Sequence, residues 1–152
     1  FSMIARSYPE QAGVLVGLLS QGAGASGMIR GQVLDLGKGK PVDDLSDLIH
    51  LHELKTGRLI ALCFMGPACL AGIKPLDFQE LGLMLGLAFQ IKDDLLDAEE
   101  EDMASFINFL GVDGTRQHLE SLTEKIQNSL LELQVNSPFL NELIEFNFSR
   151  EK

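Results

Sequence analysis

The chain has 152 residues, with 12 basic and 22 acidic side chains and a formal net charge of −10 at pH 7. This length fits one domain of ordinary size and is too short for two. The acidic balance argues against nucleic acid as the main partner, because phosphate backbones are bound by clustered Lys and Arg. The 45% share of hydrophobic residues is typical of a folded chain and argues against disorder.

The chain starts without an initiator methionine at position 1, and its first six residues have the composition of a helix interior. We therefore expect a piece of a longer polypeptide.

Two uncharged stretches, residues 13–29 and 59–73, fall just short of the roughly 18 to 20 apolar residues that a membrane span requires. Polar residues, Gly or Pro also interrupt both, so they predict helices buried in protein and no stable membrane insertion. Cys63 and Cys69 lie in the second stretch. We expect two buried, reduced thiols and a cytoplasmic location.

The hydrophobic periodicity is helical along almost the whole chain and predicts an all-α fold. Residues 37–41 form a Gly- and Pro-containing loop, after which Asp43 or Asp44 is placed to cap a helix. Gly66 and Pro67 should kink or break that helix.

The last part of the chain predicts two further helices. Leucine and isoleucine residues recur there at spacings of three and four, which is typical of an amphipathic helix; they are Leu119, Leu122, Ile126, Leu130 and Leu133. Pro138 then opens a short helix, with Asn136 and Ser137 as candidate caps.

The helix predicted over residues 81–91 carries no charge and runs directly into a group of carboxylates. At 3.6 residues per turn, Gln90, Asp94 and Asp97 share one face, and Asp93 lies one position round from it. If the helix ends here, these acids lie at the negative end of its macrodipole, where anions are disfavoured. Something cationic should therefore compensate.

Hard divalent cations are one explanation for these carboxylates, because Mg²⁺ prefers carboxylate oxygens and keeps waters that bridge to phosphates. The alternative is a solvated acidic surface that continues into residues 99–102. The same spacing recurs in Asp43, Asp44 and Asp47, where caps and first-turn acids at a helix start explain it. No such explanation is available for the second group.

Four segments now fall into a recognisable order: residues 31–36, His50, Lys55-Thr56-Gly57 and residues 86–97. The last of them contains Phe-Gln-x-x-Asp-Asp-x-x-Asp. Together they resemble the second half of a trans-type polyprenyl diphosphate synthase, in the style of the bacterial farnesyl diphosphate synthases, or geranyltranstransferases. A lone Asp-Asp-x-x-Asp is weak, but this longer pattern in register with Lys-Thr-Gly is specific.

The resemblance implies that residues 1–152 are the C-terminal portion of one isoprenoid-synthase-type helical bundle. It implies a prenyltransferase that condenses isopentenyl diphosphate with an allylic diphosphate, giving geranyl or farnesyl diphosphate. In this family the allylic diphosphate ionises with Mg²⁺ assistance, the second substrate attacks the carbocation, and a proton is lost. A homodimer is also expected from the family.

The resemblance assigns metal and diphosphate roles to four residues. Asp93, Asp94 and Asp97 match the second Asp-rich motif, which holds Mg²⁺, and Asp93 is the expected direct ligand. Lys55 matches the lysine that contacts the allylic diphosphate, where it adds positive charge as the leaving group gains negative charge. A snorkelling lysine beside a core stripe is the alternative.

Four more residues are assigned to the substrate cavity. Thr56 and Gln90 match residues whose neutral oxygens face the carbocation. Gln32 and Asp35 fit the inner face of the cavity, although an ordinary polar pair near a helix end explains them too. His50 and His52 are expected to be structural and not metal ligands, and His118, on an amphipathic surface helix, is expected to need no role.

Two departures from the family pattern limit the expectation. The first Asp-rich motif and the isopentenyl diphosphate site belong to an upstream half that this sequence lacks, so the 152 residues alone are predicted to be inactive. A loop near residues 98–104, with its diphosphate-binding lysines, is also missing. A non-catalytic subunit of a heteromeric prenyl diphosphate synthase is therefore the alternative function.

Overall fold

The computed structural model describes residues 2–97 and 105–150, and within these ranges the chain is built from helices without a strand. The α-helices are α1 Ser2–Ser7, α2 Ala12–Ala23, α3 Met28–Asp35, α4 Leu45–His52, α5 Arg58–Leu70, α6 Gln79–Leu96, α7 Phe106–Glu132 and α8 Pro138–Ser149. A π-helical segment, Glu53–Gly57, joins α4 to α5, and a 3-10 turn, Pro75–Phe78, precedes α6. The all-α prediction is confirmed.

Several helices begin where the sequence places a cap. The Asp44 carboxylate accepts a hydrogen bond from the Asp47 backbone N–H at 2.9 Å and caps α4. The Ser137 hydroxyl accepts from the Leu140 N–H at 3.3 Å, and Pro138 is the first residue of α8. Both caps satisfy N–H groups that a helix start would otherwise leave unpaired.

Helix α6 is the centre of the bundle and packs against α5 and α7. Its Leu81, Ala88 and Ile91 are fully buried, which confirms that the uncharged helix lies inside the protein. The hydrophobic core continues through α7, whose buried residues include Leu119, Leu122, Ile126 and Leu130. The amphipathic stripe predicted from the sequence therefore faces this core.

Two local predictions differ from the structure. Helix α5 continues through Pro67 to Leu70, so the predicted break is wrong, and the other outcome, a kink, stays a prediction. Cys63 is exposed and Cys69 half-buried, and both are free thiols. The apolar run that contains both cysteines has the composition of a core segment. Helix α5 nevertheless buries only one of its faces.

The first uncharged stretch also differs from its prediction. By length and composition alone, Ala12–Asp35 is long and apolar enough to cross a membrane, and only 17% of that window is buried. Val14 and Ile29 are 54% and 52% exposed. A turn separates α2 from α3 here, and the 12 residues of α2 rise about 18 Å, less than the roughly 30 Å of a bilayer's hydrocarbon core. Among the described residues, this stretch is therefore mostly not buried, contrary to the prediction.

Candidate active site

A cleft of about 660 Å³ opens between the end of α3, helix α4, the π-helical segment and the C-terminal end of α6. Six of the eight site residues predicted from the sequence line it: Asp35, Lys55, Gln90, Asp93, Asp94 and Asp97. Gln32 lies exposed one turn before Asp35 on α3, and half-buried Thr56 follows Lys55 in the π-helical segment. Neither Gln32 nor Thr56 is among the residues that line the cleft.

The π-helical segment Glu53–Gly57 fixes the position of Lys55, and two glycines allow its neighbours to approach closely. A Cβ on Gly31 of α3 would lie 2.3 Å from the Lys55 backbone nitrogen, and a Cβ on Gly86 of α6 would lie 2.5 Å from the Gly57 Cα. No side chain fits at either distance. Backbone contacts from two sides therefore hold the Lys-Thr-Gly segment, and π-helical turns occur frequently at functional sites.

The Lys55 side chain reaches back across the cleft to α3. Its ammonium Nζ lies 2.8 Å from Asp35 Oδ2, and the two side chains are 31% and 33% exposed. At such exposure an ion pair adds little to stability. The pair does hold the lysine charge at the cleft, which both residues line.

Asp93 is paired on both of its carboxylate oxygens. Gln90 Nε2 donates to Oδ2 at 3.2 Å, and Arg150 Nη2 forms an ion pair with Oδ1. The Arg150 guanidinium also lies over the Phe89 ring, 4.4 Å from its centroid. Arg150 is thus a cation of the kind that the acids at this helix end need. Its identity could not be predicted from spacing, because 57 residues separate the pair.

Asp94 links the cleft to the start of α7. The Phe106 backbone N–H donates to Asp94 Oδ2 at 2.7 Å, so the carboxylate satisfies an N–H group at the start of α7. A break at Gly111 (φ 68°, ψ 169°) separates this first stretch of α7 from the rest of the helix. Asp97 ends α6, and its own N–H donates to the Asp93 carbonyl at 2.9 Å. The acids that the α6 dipole disfavours are therefore compensated by the Phe106 N–H as well as by Arg150.

His52 forms part of the cleft wall and is 7% exposed. Its ring stacks on Phe106 at 5.7 Å between centroids, and Phe106 in turn stacks on His118 at 5.9 Å. Burial, with a smaller contribution from the Lys55 charge, lowers the pKa of His52 to about 4. The imidazole is therefore neutral at physiological pH.

The fit of these residues to Mg²⁺ depends on how the metal would be held. Among residues 2–97 and 105–150, no three His, Cys, Asp or Glu side chains lie close enough to form a metal cage. Mg²⁺ in proteins is usually bound through one or two carboxylates together with substrate phosphates and waters. Asp93 and Lys55, which line the same cleft, fit that mode. The roles of the site residues remain predictions, and the missing loop predicted near 98–104 lies outside the described residues.

Solved structures of geranyltransferases share the fold of this chain. A geranyltransferase from Helicobacter pylori has a TM-score of 0.77 and 32% identity, covering 91% of this chain and 50% of its own. A Helicobacter pylori geranyltransferase complexed with magnesium and isoprenyl diphosphate has a TM-score of 0.72 and 30% identity, with coverages of 90% and 50%. The chain thus has the all-α fold of the isoprenoid synthases.

The sequence comparisons then give the family. The farnesyl diphosphate synthase of Haemophilus influenzae is 34% identical over 164 residues, which cover 93% of this chain and 54% of that protein. Residues 2–108 match the model of the polyprenyl synthetase family. The chain belongs to the polyprenyl synthetase family. It spans about half the length of the curated relatives it matches.

Proposed function

We propose that the whole protein is a prenyltransferase that condenses isopentenyl diphosphate with an allylic diphosphate to give geranyl or farnesyl diphosphate. The observation that carries the proposal is the cleft itself. Lys55 from the π-helical segment meets Gln90, Asp93, Asp94 and Asp97 from α6 around one cleft, although more than a helix separates them in sequence. A solvated acidic surface would not need a lysine held between two close helix contacts.

Lys55 is proposed to bind the diphosphate of the allylic substrate. Its Nζ is already directed into the cleft by Asp35 at 2.8 Å. As the bond to the leaving diphosphate breaks, negative charge grows on its oxygens, and a fixed ammonium stabilises that charge without reorganisation. Asp35 then serves to position the lysine, which is the role we propose for it.

Asp93 is proposed as the direct metal ligand, and Asp94 and Asp97 are proposed to support the site together with the substrate phosphates and waters, since the three carboxylates alone form no metal cage. When bound, Mg²⁺ would neutralise the diphosphate and so make it a better leaving group. Asp94 already accepts the Phe106 N–H at the start of α7, so it fixes α7 against α6 beside Asp93. This would keep the metal-facing carboxylates in one orientation.

Thr56 and Gln90 are proposed to offer neutral oxygens to the allylic carbocation, and Gln32 to line the same cavity. Gln90 uses its amide nitrogen on Asp93, and its amide oxygen is the atom that we propose to face the cation. A neutral oxygen suits this position, because a carboxylate there would trap the cation as an ester. Thr56 and Gln32 lie beside the cleft residues and not in its wall, so their part depends on substrate or on further chain.

The test is incorporation of radiolabelled isopentenyl diphosphate by the full-length protein with geranyl or dimethylallyl diphosphate, with Mg²⁺ and after its removal by EDTA. We expect metal-dependent formation of a longer prenyl diphosphate. Turnover that appears only after a second polypeptide is added would instead support the non-catalytic subunit. The 152-residue chain alone is expected to form no product, since it spans half of its relatives. Homodimerisation and cytoplasmic location remain predictions.

A further inference from the structure

Arg150 ties the C-terminal end of α8 to the C-terminal end of α6. Its backbone N–H donates to the Phe146 carbonyl at 2.9 Å and closes α8. Its side chain is 22% exposed, forms the ion pair with Asp93 Oδ1, contacts the Phe89 carbonyl at 3.5 Å and covers the Phe89 ring. These contacts reach Phe89 and Asp93, which lie one helical turn apart on α6, and together they define the position of the Arg150 side chain.

The Arg150 guanidinium is paired with Asp93, the carboxylate that is proposed to bind the metal. The end of a helix that carries adjacent carboxylates is electrostatically unfavourable without a cation. In the described chain Arg150 supplies that positive charge at Asp93. Its Nε is buried without a hydrogen-bond partner in residues 2–97 and 105–150, so the side chain gives up part of its hydrogen bonding to remain there.

We propose that Arg150 is an internal counterion that competes with the divalent metal for Asp93, and that metal loading requires its guanidinium to leave Oδ1. The inference rests on the proposed metal role of Asp93. A guanidinium and a dication on the same carboxylate repel each other at short range. Binding of one cation to Asp93 therefore weakens binding of the other cation. The contact of Arg150 with Asp93 then sets the metal concentration that is needed to load the cleft.

The test is binding of Mn²⁺, an oxygen-seeking ion of octahedral preference, to the full-length protein in the presence of inorganic pyrophosphate. Free Mn²⁺ is read by electron paramagnetic resonance, so the readout does not depend on turnover. Arg150→Gln should tighten Mn²⁺ binding about two- to fivefold, which is the range expected for loss of one partly exposed ion pair. Unchanged or weaker binding would overturn the proposal.

Two variants serve as controls. Arg116→Gln removes the same charge from an exposed position on α7, and it should leave Mn²⁺ affinity at the wild-type value; equal tightening by both variants would mean that only net charge matters and would overturn the proposal. Asp93→Asn separates the inference from the proposed function. If Asp93→Asn binds Mn²⁺ as the wild type does, the metal role of Asp93 fails, whatever Arg150 does.

A second measurement needs no variant and is independent of how Arg150→Gln folds. Hydrogen exchange of the Arg150 amide, which is bonded to Phe146, should become faster when Mn²⁺ and pyrophosphate are added, because the released side chain no longer anchors the end of α8. Slower or unchanged exchange would show that Arg150 stays in place when the cleft is loaded, which contradicts the proposal.

Discussion

Two acidic groups with identical spacing lie at opposite kinds of helix end in this molecule. Asp43, Asp44 and Asp47 surround the start of α4, where Asp44 caps the helix and Asp47 pairs with Lys40 at 2.7 Å. Asp93, Asp94 and Asp97 lie at the end of α6, where Asp94 binds the start of α7 and Asp93 pairs with Arg150. The first group uses its own helix, while the second depends on distant parts of the chain.

The difference shows why spacing alone cannot identify a metal site. Carboxylates at a helix start are stabilised by the free N–H groups and the dipole of that helix. At a helix end the same carboxylates are unfavourable and need cations from elsewhere. The second group therefore gathers Arg150, and Lys55 lies in the same cleft. A set of acids that remains at the unfavourable end is the better candidate for function.

The largest effect should come from Asp93→Ala in the full-length protein. We expect isopentenyl diphosphate incorporation to fall at least about 100-fold, the size of loss seen when a group that stabilises developing charge is removed. Asp43→Ala is the matched control, since it holds the same place in the first group, and it should keep wild-type turnover. Wild-type turnover of Asp93→Ala in saturating Mg²⁺ would show that the metal role is misassigned.

The next effect concerns the two histidines of α4, one beside the cleft and one outside it. The folded His52 has a pKa of about 4 against about 6.5 when unfolded, so between these values only the unfolded state binds the proton. Stability therefore falls as the pH drops from about 6.5 to about 4, by a total of about 3 kcal/mol.

Urea denaturation from pH 7 to pH 4 checks this contribution. His52→Asn should lose that part of the pH dependence, whereas His50→Asn, at an exposed position of the same helix, should keep it. Identical pH slopes for the wild type and His52→Asn would contradict the burial of a neutral imidazole.

A smaller effect compares the two carboxylates that accept a backbone N–H. Asp44→Ala removes the α4 cap and Asp94→Ala removes the acceptor at the start of α7, and each should lower the free energy of unfolding by about 1 kcal/mol. Only Asp94→Ala should also reduce turnover. Denaturant titration and the incorporation assay together check the pair, and a loss of turnover in Asp44→Ala would remove the distinction between the two groups.

The smallest effect belongs to the exposed ion pair of the first group. The hydrogen bond from Lys40 lowers the pKa of Asp47, so its contribution is present above the ordinary range of that carboxyl and is lost as the pH falls through the lowered pKa. Lys40→Gln should reduce the melting temperature slightly at pH 7 and not at all at low pH. A reduction that is larger at low pH would contradict this sign.

Local rules predicted much of the fold. The caps at Asp44 and Ser137, the buried face of α6 and the stripe on α7 follow from spacing and residue type. The prediction placed Asp93 one position off the face of Gln90, whereas in the structure Gln90 donates to Asp93 across an i, i+3 spacing. Continuation of α5 through Pro67 and the exposure of Cys63 depend on tertiary packing, which the sequence does not display. The pairs Lys55 with Asp35 and Arg150 with Asp93 join distant segments, so periodicity could not find them.

The central claim is that the cleft between Lys55 and Asp93 binds a metal ion together with a diphosphate. A crystal structure of the full-length protein with Mn²⁺ and pyrophosphate, in which anomalous scattering locates the metal, checks this claim. We expect a metal peak at ligand distance from the Asp93 oxygens, with pyrophosphate between the metal and Lys55. Metal bound at Asp43 and Asp47, or pyrophosphate bound away from Lys55, would contradict it.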